Sequence, residues 1–204
     1  MLGGRLEMHL TVEQCDRDRL SSLLAEVRPR AKVTEVVLED SLAARQLMAT
    51  WHEHADVAAA VASGEWLAHQ LAVRGVSPCR LKIERDLADH GLEMGVYLEH
   101  HVLVVIRPAD LSTLTRVADR HDARLSRCDR RRRGDVSERF VNQRWWHADD
   151  HAGAATAFCA LVNDLEASGL PVVKSTAERV LHDTNVALDG TWLAPIAVTA
   201  GARR

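Results

Sequence analysis

The residues best equipped for chemistry in this chain are two histidines that follow a glutamate by the same interval. Glu7-Met8-His9-Leu10-Thr11 and Glu99-His100-His101-Val102-Leu103 each set a carboxylate two positions before an imidazole. On a β-strand, residues two apart share a face, so each Glu and His stand side by side. Imidazole exchanges protons near neutral pH and binds metals, and carboxylate adds a base or an oxygen ligand. Further along each half, Lys82 with Glu84, and Lys174 with Glu178, alternate with apolar neighbours in the same way. Glu7, His9, Lys82 and Glu84 therefore form one polar set, and Glu99, His101, Lys174 and Glu178 form the matching one. Such groups are costly to bury unless paired. Their bland explanation is a solvated sheet face or a salt-bridge network between lobes.

The elements that must hold these residues recur. Trp51 matches Trp145, Leu67 matches Leu161, Gly75 matches Gly169, and Glu84-Arg85 matches Glu178-Arg179. Glu7 and His9 match Glu99 and His101. Alternation predicts strands over 5–13, 32–39, 47–54 and 79–87, with helices over 17–27 and 55–74. The second half repeats the order, with strands over 97–106, 123–130, 138–147 and 172–182 and helices over 110–121 and 150–168. The expectation is an α+β protein, a tandem duplication of a ferredoxin-like β-α-β-β-α-β unit. Its first repeat would span 1–93, its second 94–192, and 193–204 would be a tail. Two antiparallel sheets would then face a shared cleft about a pseudo-twofold axis, with both polar sets lining it.

His9-Leu10-Thr11-Val12 resembles the H-x-T-x signature of the two-histidine phosphoesterases, and His101-Val102-Leu103-Val104 falls where their second motif would be. The resemblance covers two short strands and a two-lobed architecture. It implies a metal-independent phosphoesterase, a hydrolase acting on a cyclic phosphate or RNA-end-type substrate. One imidazole would take a proton and the other give one. Thr11 would bind a phosphate oxygen, with Lys82, Lys174 or Arg144 offsetting its charge and Glu84 and Glu178 completing the substrate-binding face. Leu103 stands where the second hydroxyl belongs, and Glu7 and Glu99 put negative charge beside an anionic substrate.

Two other classes fit the same residues. Glu7, His9, Glu99 and His101 supply two carboxylates and two imidazoles, a donor set suited to a divalent transition metal. Alternatively, the lobes clamp a small anionic or zwitterionic ligand without catalysis. His52 and His54 form another pair two apart, read as solvated surface.

Composition narrows the field. The chain has 204 residues, 47% hydrophobic and 27% charged, with a formal net charge of -3, which does not suit a nucleic-acid coat. Arg130 to Arg133 could lead nucleic acid towards the cleft, but reads better as the tip of a hairpin turning at Gly134-Asp135. Cys15, Cys79, Cys128 and Cys159 are dispersed, as free thiols of a cytoplasmic protein would be. No stretch has the length and apolarity of a membrane span or a signal peptide. Asp183-Thr184-Asn185 and Asp189-Gly190 are accounted for as turns.

Overall fold

The strands are written by alternation, and the helices begin where the sequence offers a capping carboxylate. The computed structural model describes residues 4–13, 15–38, 45–89, 94–127, 132–133 and 135–189. The first half runs β1 (Arg5–Glu13), α1 (Arg17–Val27), β2 (Lys32–Leu38), β3 (Arg45–His54), α2 (Val57–Ala72) and β4 (Ser77–Asp86). The second runs β5 (Tyr97–Ile106), α3 (Leu111–Arg120), β6 (Arg124–Arg127), β7 (Arg132–Arg133), β8 (Val136–Trp145), α4 (His151–Ala167) and β9 (Val172–Asp183). Asp16, Asp56 and Asp150 accept hydrogen bonds from the backbone N–H of Arg19, Ala59 and Gly153, which caps α1, α2 and α4. Gly75 and Gly169, just beyond α2 and α4, take φ of 75° and 73°, a left-handed conformation open to glycine at little cost.

All pairings are antiparallel and run β5-β9-β4-β1-β3-β2-β6-β8. A further pairing of β5 with β8 closes this row into an eight-stranded barrel, and the short β7 adds to β8. The closure overturns the expected fold. A tandem duplication of ferredoxin-like units would leave two open sheets, but here β4 pairs with β9 and β2 with β6 across the halves. Open edges would expose unpaired backbone N–H and C=O groups, and the cross-pairing satisfies them. The terms ferredoxin-like and duplicated unit therefore do not describe this protein, and the shared cleft is replaced by the interior of one barrel. The proposed tail over 193–204, and Arg130 and Arg131 of the arginine run, lie outside the described residues.

The apolar cores sit outside the barrel wall, under the helices. Leu6, Met8 and Leu10 of β1 pack with Leu20 and Leu24 of α1 and Leu67 and Leu71 of α2. Val102 and Val104 of β5 pack with Leu114 and Val117 of α3 and Leu161 and Leu165 of α4. Because side chains alternate across each strand, the opposite face, with Glu7, His9, Glu99 and His101, turns into the barrel.

The contact of α2 with the wall is tight at Gly64. A Cβ there would come within 2.6 Å of both Leu81 methyl carbons. Gly64→Val is expected to destabilise the fold by about 1–3 kcal/mol through overpacking. Urea unfolding measures this, and an unchanged midpoint would mean that α2 stands off the sheet.

Candidate functional site

One end of the barrel is stoppered by charge. After β9 the chain is fastened to β4: Leu81 N–H donates to Thr184 Oγ1 at 2.9 Å, and Asn185 Nδ2 donates to the Cys79 carbonyl at 3.0 Å. A short 3-10 helix (Val186–Asp189) then delivers the buried Asp189 carboxylate. Asp189 accepts from Arg80 Nη1 at 3.0 Å, Arg144 Nη2 at 2.8 Å and Gln46 Nε2 at 3.2 Å. Asp183 accepts from Arg80 Nε and Nη2 at 2.9 and 2.6 Å and from the Tyr97 hydroxyl at 2.5 Å. The Arg144 guanidinium lies 4.2 Å from the Tyr97 ring centroid and 5.1 Å from that of Trp146. Burial works against both guanidiniums, yet their carboxylate partners raise the Arg80 and Arg144 pKa values. Burial also pushes the Tyr97 hydroxyl up, and Glu99 adds to the shift.

The other end opens into a cavity of about 690 Å³. Glu7, His52, Glu84, Asp86, Lys174 and Glu178 are among its lining residues. His54 joins them, so the histidine pair of β3 stands at the mouth rather than on plain surface.

Between stopper and mouth the two candidate histidines are held alike. His9 pairs with Thr50 and Lys82 in the strand register, and His101 with Asn142 and Thr176. His9 Nδ1 lies 3.0 Å from Thr50 Oγ1, and His101 Nδ1 lies 2.8 Å from Asn142 Oδ1. Both Nε2 atoms are thereby aimed at carboxylates. His9 Nε2 is 2.9 Å from Glu84 Oε2 and 3.7 Å from Glu7 Oε1. His101 Nε2 is 3.3 Å from Glu178 Oε2 and 3.5 Å from Glu99 Oε2. Glu7 also meets His52 Nε2 at 3.3 Å.

Lys82 ties the halves together, with Nζ at 2.6 Å from Glu84 Oε1 and 2.8 Å from Glu99 Oε2. Glu84 Oε1 accepts no hydrogen bond, so its contact with the ammonium is one of charge without hydrogen-bond alignment. Glu99 Oε1 is taken by Arg144, whose Nε and Nη2 donate at 3.0 and 2.5 Å. Burial would raise the carboxyl pKa values, but Lys82 and His9 hold Glu84 down to about 2, and Lys82 and His101 hold Glu99 well below the usual range. Burial would lower the His101 pKa, but Glu178 and Glu99 raise it well above that of a free histidine. The same opposition keeps Lys82 charged between Glu84 and Glu99, which rules it out as a neutral amine nucleophile.

The sequence-derived residues are thus sorted by position. Glu7, His9, Lys82, Glu84, Glu99, His101 and Glu178 converge in the interior. Glu84, Glu99 and His101 each offer a ligand atom within 4.8 Å of the others, so Glu84 takes the place that the sequence reading gave to Glu7 and His9 together. Lys174 pairs with Leu103, not His101, and lines the cavity, so it is not the counterpart of Lys82. Thr11 is buried beside Arg80 and Met48 in the strand register. Arg144 is committed to Glu99 and Asp189. Arg80, Tyr97, Asp183 and Asp189 were missed as interior partners. Tyr97 and Arg80 have the parity of Glu99 and Lys82, which was the available signal, whereas nothing local marked the two aspartates.

No family model and no curated protein matches the chain. Among solved structures, a mutant chlorite dismutase from Candidatus Nitrospira defluvii is similar over 88% of this chain and 92% of that one. The identity is 12% and the TM-score 0.30, values that carry no argument about function. Among the described residues no helix is long and apolar enough to cross a membrane. Nothing in these comparisons supports the hydrolase label.

The stopper makes a stability test possible. Burial opposes ionisation of Asp183, but Arg80 and Tyr97 lower its pKa below the ordinary 3.8. Its stabilisation is therefore complete above 3.8 and is lost as pH falls through the lower folded value. Asp183→Asn is expected to cost about 3–5 kcal/mol at neutral pH, by stranding part of the buried Arg80 charge. It should also flatten the loss of stability in acid, and denaturant unfolding as a function of pH measures both effects.

Proposed function

We propose that the barrel is a metal-binding protein, holding a divalent transition-metal ion on Glu84, Glu99 and His101 in the barrel interior, where Glu84 meets the cavity. The observation that carries this reading is the convergence of two buried carboxylates and one half-buried imidazole, from β4 and β5, within 4.8 Å of one another. His101 has the support that metal-ligating imidazoles require: its Nδ1 side is held by Asn142, which leaves Nε2 for the ion. Imidazole and carboxylate together suit zinc, manganese, iron or nickel. His9 beside Glu84 is a further imidazole next to the ion.

Charge supports the same reading. At the stopper Asp183 and Asp189 face Arg80 and Arg144, so anions and fixed cations are equal in number. Along the cavity, the carboxylates of Glu7, Glu84, Asp86, Asp89 and Glu178 outnumber the fixed cations Arg5 and Lys174. A cation is welcome there, and a phosphate is not. The cavity has the volume of a small-molecule site, so the ion would meet a small molecule admitted through the mouth. We further propose that the protein works in the cytoplasm, where the free thiols Cys15, Cys79 and Cys159 would stay reduced.

Metal titration followed by elemental analysis tests the reading. One zinc or manganese ion per chain is expected in the wild type, with His101→Ala and Glu99→Gln losing it. Asn142→Ala, which frees the Nδ1 side of His101 and also removes the Asn142 Nδ2 bond to Ser126 Oγ, should weaken binding about tenfold or more. A wild type that takes up neither ion would overturn the proposal.

A further inference from the structure

The donor atoms available to an ion in the barrel interior can be found by elimination. Glu99 Oε1 is occupied by Arg144, which leaves Glu99 Oε2. Glu84 Oε2 is engaged by His9, which leaves Glu84 Oε1, the oxygen with no hydrogen bond. Both remaining oxygens face one atom, Lys82 Nζ, at 2.6 and 2.8 Å. An ion bound to both would stand about 2.0–2.2 Å from each, in the space that the ammonium fills. Two cations cannot share that place, since their repulsion in a poorly polarisable interior is large.

Resting on the metal reading above, we infer that Lys82 is the resident cation of the metal position and gives it up when a divalent ion arrives. The ammonium does structural work while the site lacks an ion. It keeps Glu84 and Glu99, each 3% exposed at the side chain, from facing one another as unpaired charges. It is also free to leave. Its stem is four flexible carbons, 15% of its side chain is reached by water, and Glu84 opens directly onto the cavity. On leaving, the ammonium has Glu7 and Glu178 ahead of it, two carboxylates of the cavity lining. The exchange changes no covalent bond: one ion enters, and one side chain rotates out with its charge intact. Lys82 then acts as a selectivity device, because an ion must bind the two carboxylates more strongly than an ammonium does. A divalent ion meets that condition and a monovalent one does not.

Zinc binding measured by competition with a chromophoric chelator, on wild type, His101→Ala, Lys82→Met and Lys82→Arg, tests the inference. Lys82→Met keeps the stem and removes the competing charge, so zinc should bind about tenfold or more tightly than to the wild type. Lys82→Arg keeps the charge on a bulkier, fork-shaped group suited to carboxylates, and should bind about tenfold or more weakly. If Lys82→Met needs zinc to fold, zinc-dependent recovery of its structure supports the inference, and Lys82→Arg still gives an independent measurement. Wild-type binding that is lost in His101→Ala but equal in both Lys82 variants would overturn the exchange and leave the metal reading intact. Wild type and His101→Ala alike in failing to bind would sink the metal reading itself. Zinc binding by Lys82→Met with none by the wild type would show a permanent occupant, which also overturns the exchange.

Discussion

Closing the sheet on itself imposes the condition that the rest of the molecule has to meet. The pairings of β4 with β9 and β2 with β6 leave none of the four paired flanks as a free edge. They also turn inward every side chain that the helices do not cover. In an open sheet these positions would face water, and their charges would need no partners. Inside a barrel each carboxylate must find a cation or a strong donor, because an isolated buried charge is too costly to keep. The ion pairs of the interior follow from that closure.

The interior satisfies the condition by crossing between halves. Lys82 of β4 reaches Glu99 of β5, Arg80 of β4 reaches Asp183 and Tyr97, and Gln46 of β3 reaches Asp189. A pair confined to one half would stabilise that half alone. These contacts fasten the barrel across its seam, so closure and charge compensation reinforce each other. The helices supply a separate stabilisation outside the wall, where Gly64 permits close approach to Leu81. Removing one partner from the interior therefore affects the fold and the site together, and an imidazole Nδ1 partner such as Asn142 is a gentler handle than a charged group.

Strand identity was legible because it depends on local alternation. Met8 and Leu10 against Glu7, His9 and Thr11 fix a face without knowledge of the fold, and the interior placement of His9, His101, Glu84 and Glu99 follows from parity. Closure was not legible. It depends on Val37 and Leu38 meeting Arg127 and Ser126, and on Lys82 meeting Asp183, and nothing in either segment announces such distant partners. The same applies to the stopper. Asp183 and Asp189 look like turn residues in sequence, and the segment does turn, but the turn carries one carboxylate onto two arginines. Arg80 lay on the correct face by alternation, yet its partners arise only when β9 and the segment after it return to β4. The match of Lys174 to Lys82 failed for a simpler reason: the interval of 94 residues that relates Glu84 to Glu178 pairs Lys82 with Thr176, and Thr176 stands opposite His101 as Lys82 stands opposite His9.

A buried ion-pair network and a metal site differ in what fixes the charges. At the stopper, guanidiniums that keep their protons hold Asp183 and Asp189, and every oxygen of Asp183 and Asp189 has a donor. At the proposed metal position, one Glu84 oxygen has no hydrogen bond, and imidazoles with anchored Nδ1 atoms supply much of the compensation. Imidazole can exchange a proton for a metal, which guanidinium cannot, so the two ends of one barrel are suited to different tasks. The stoppered end is built to stay as it is. The proposed metal position has donors that can change partners, and Lys82 is the cation placed where that change would occur.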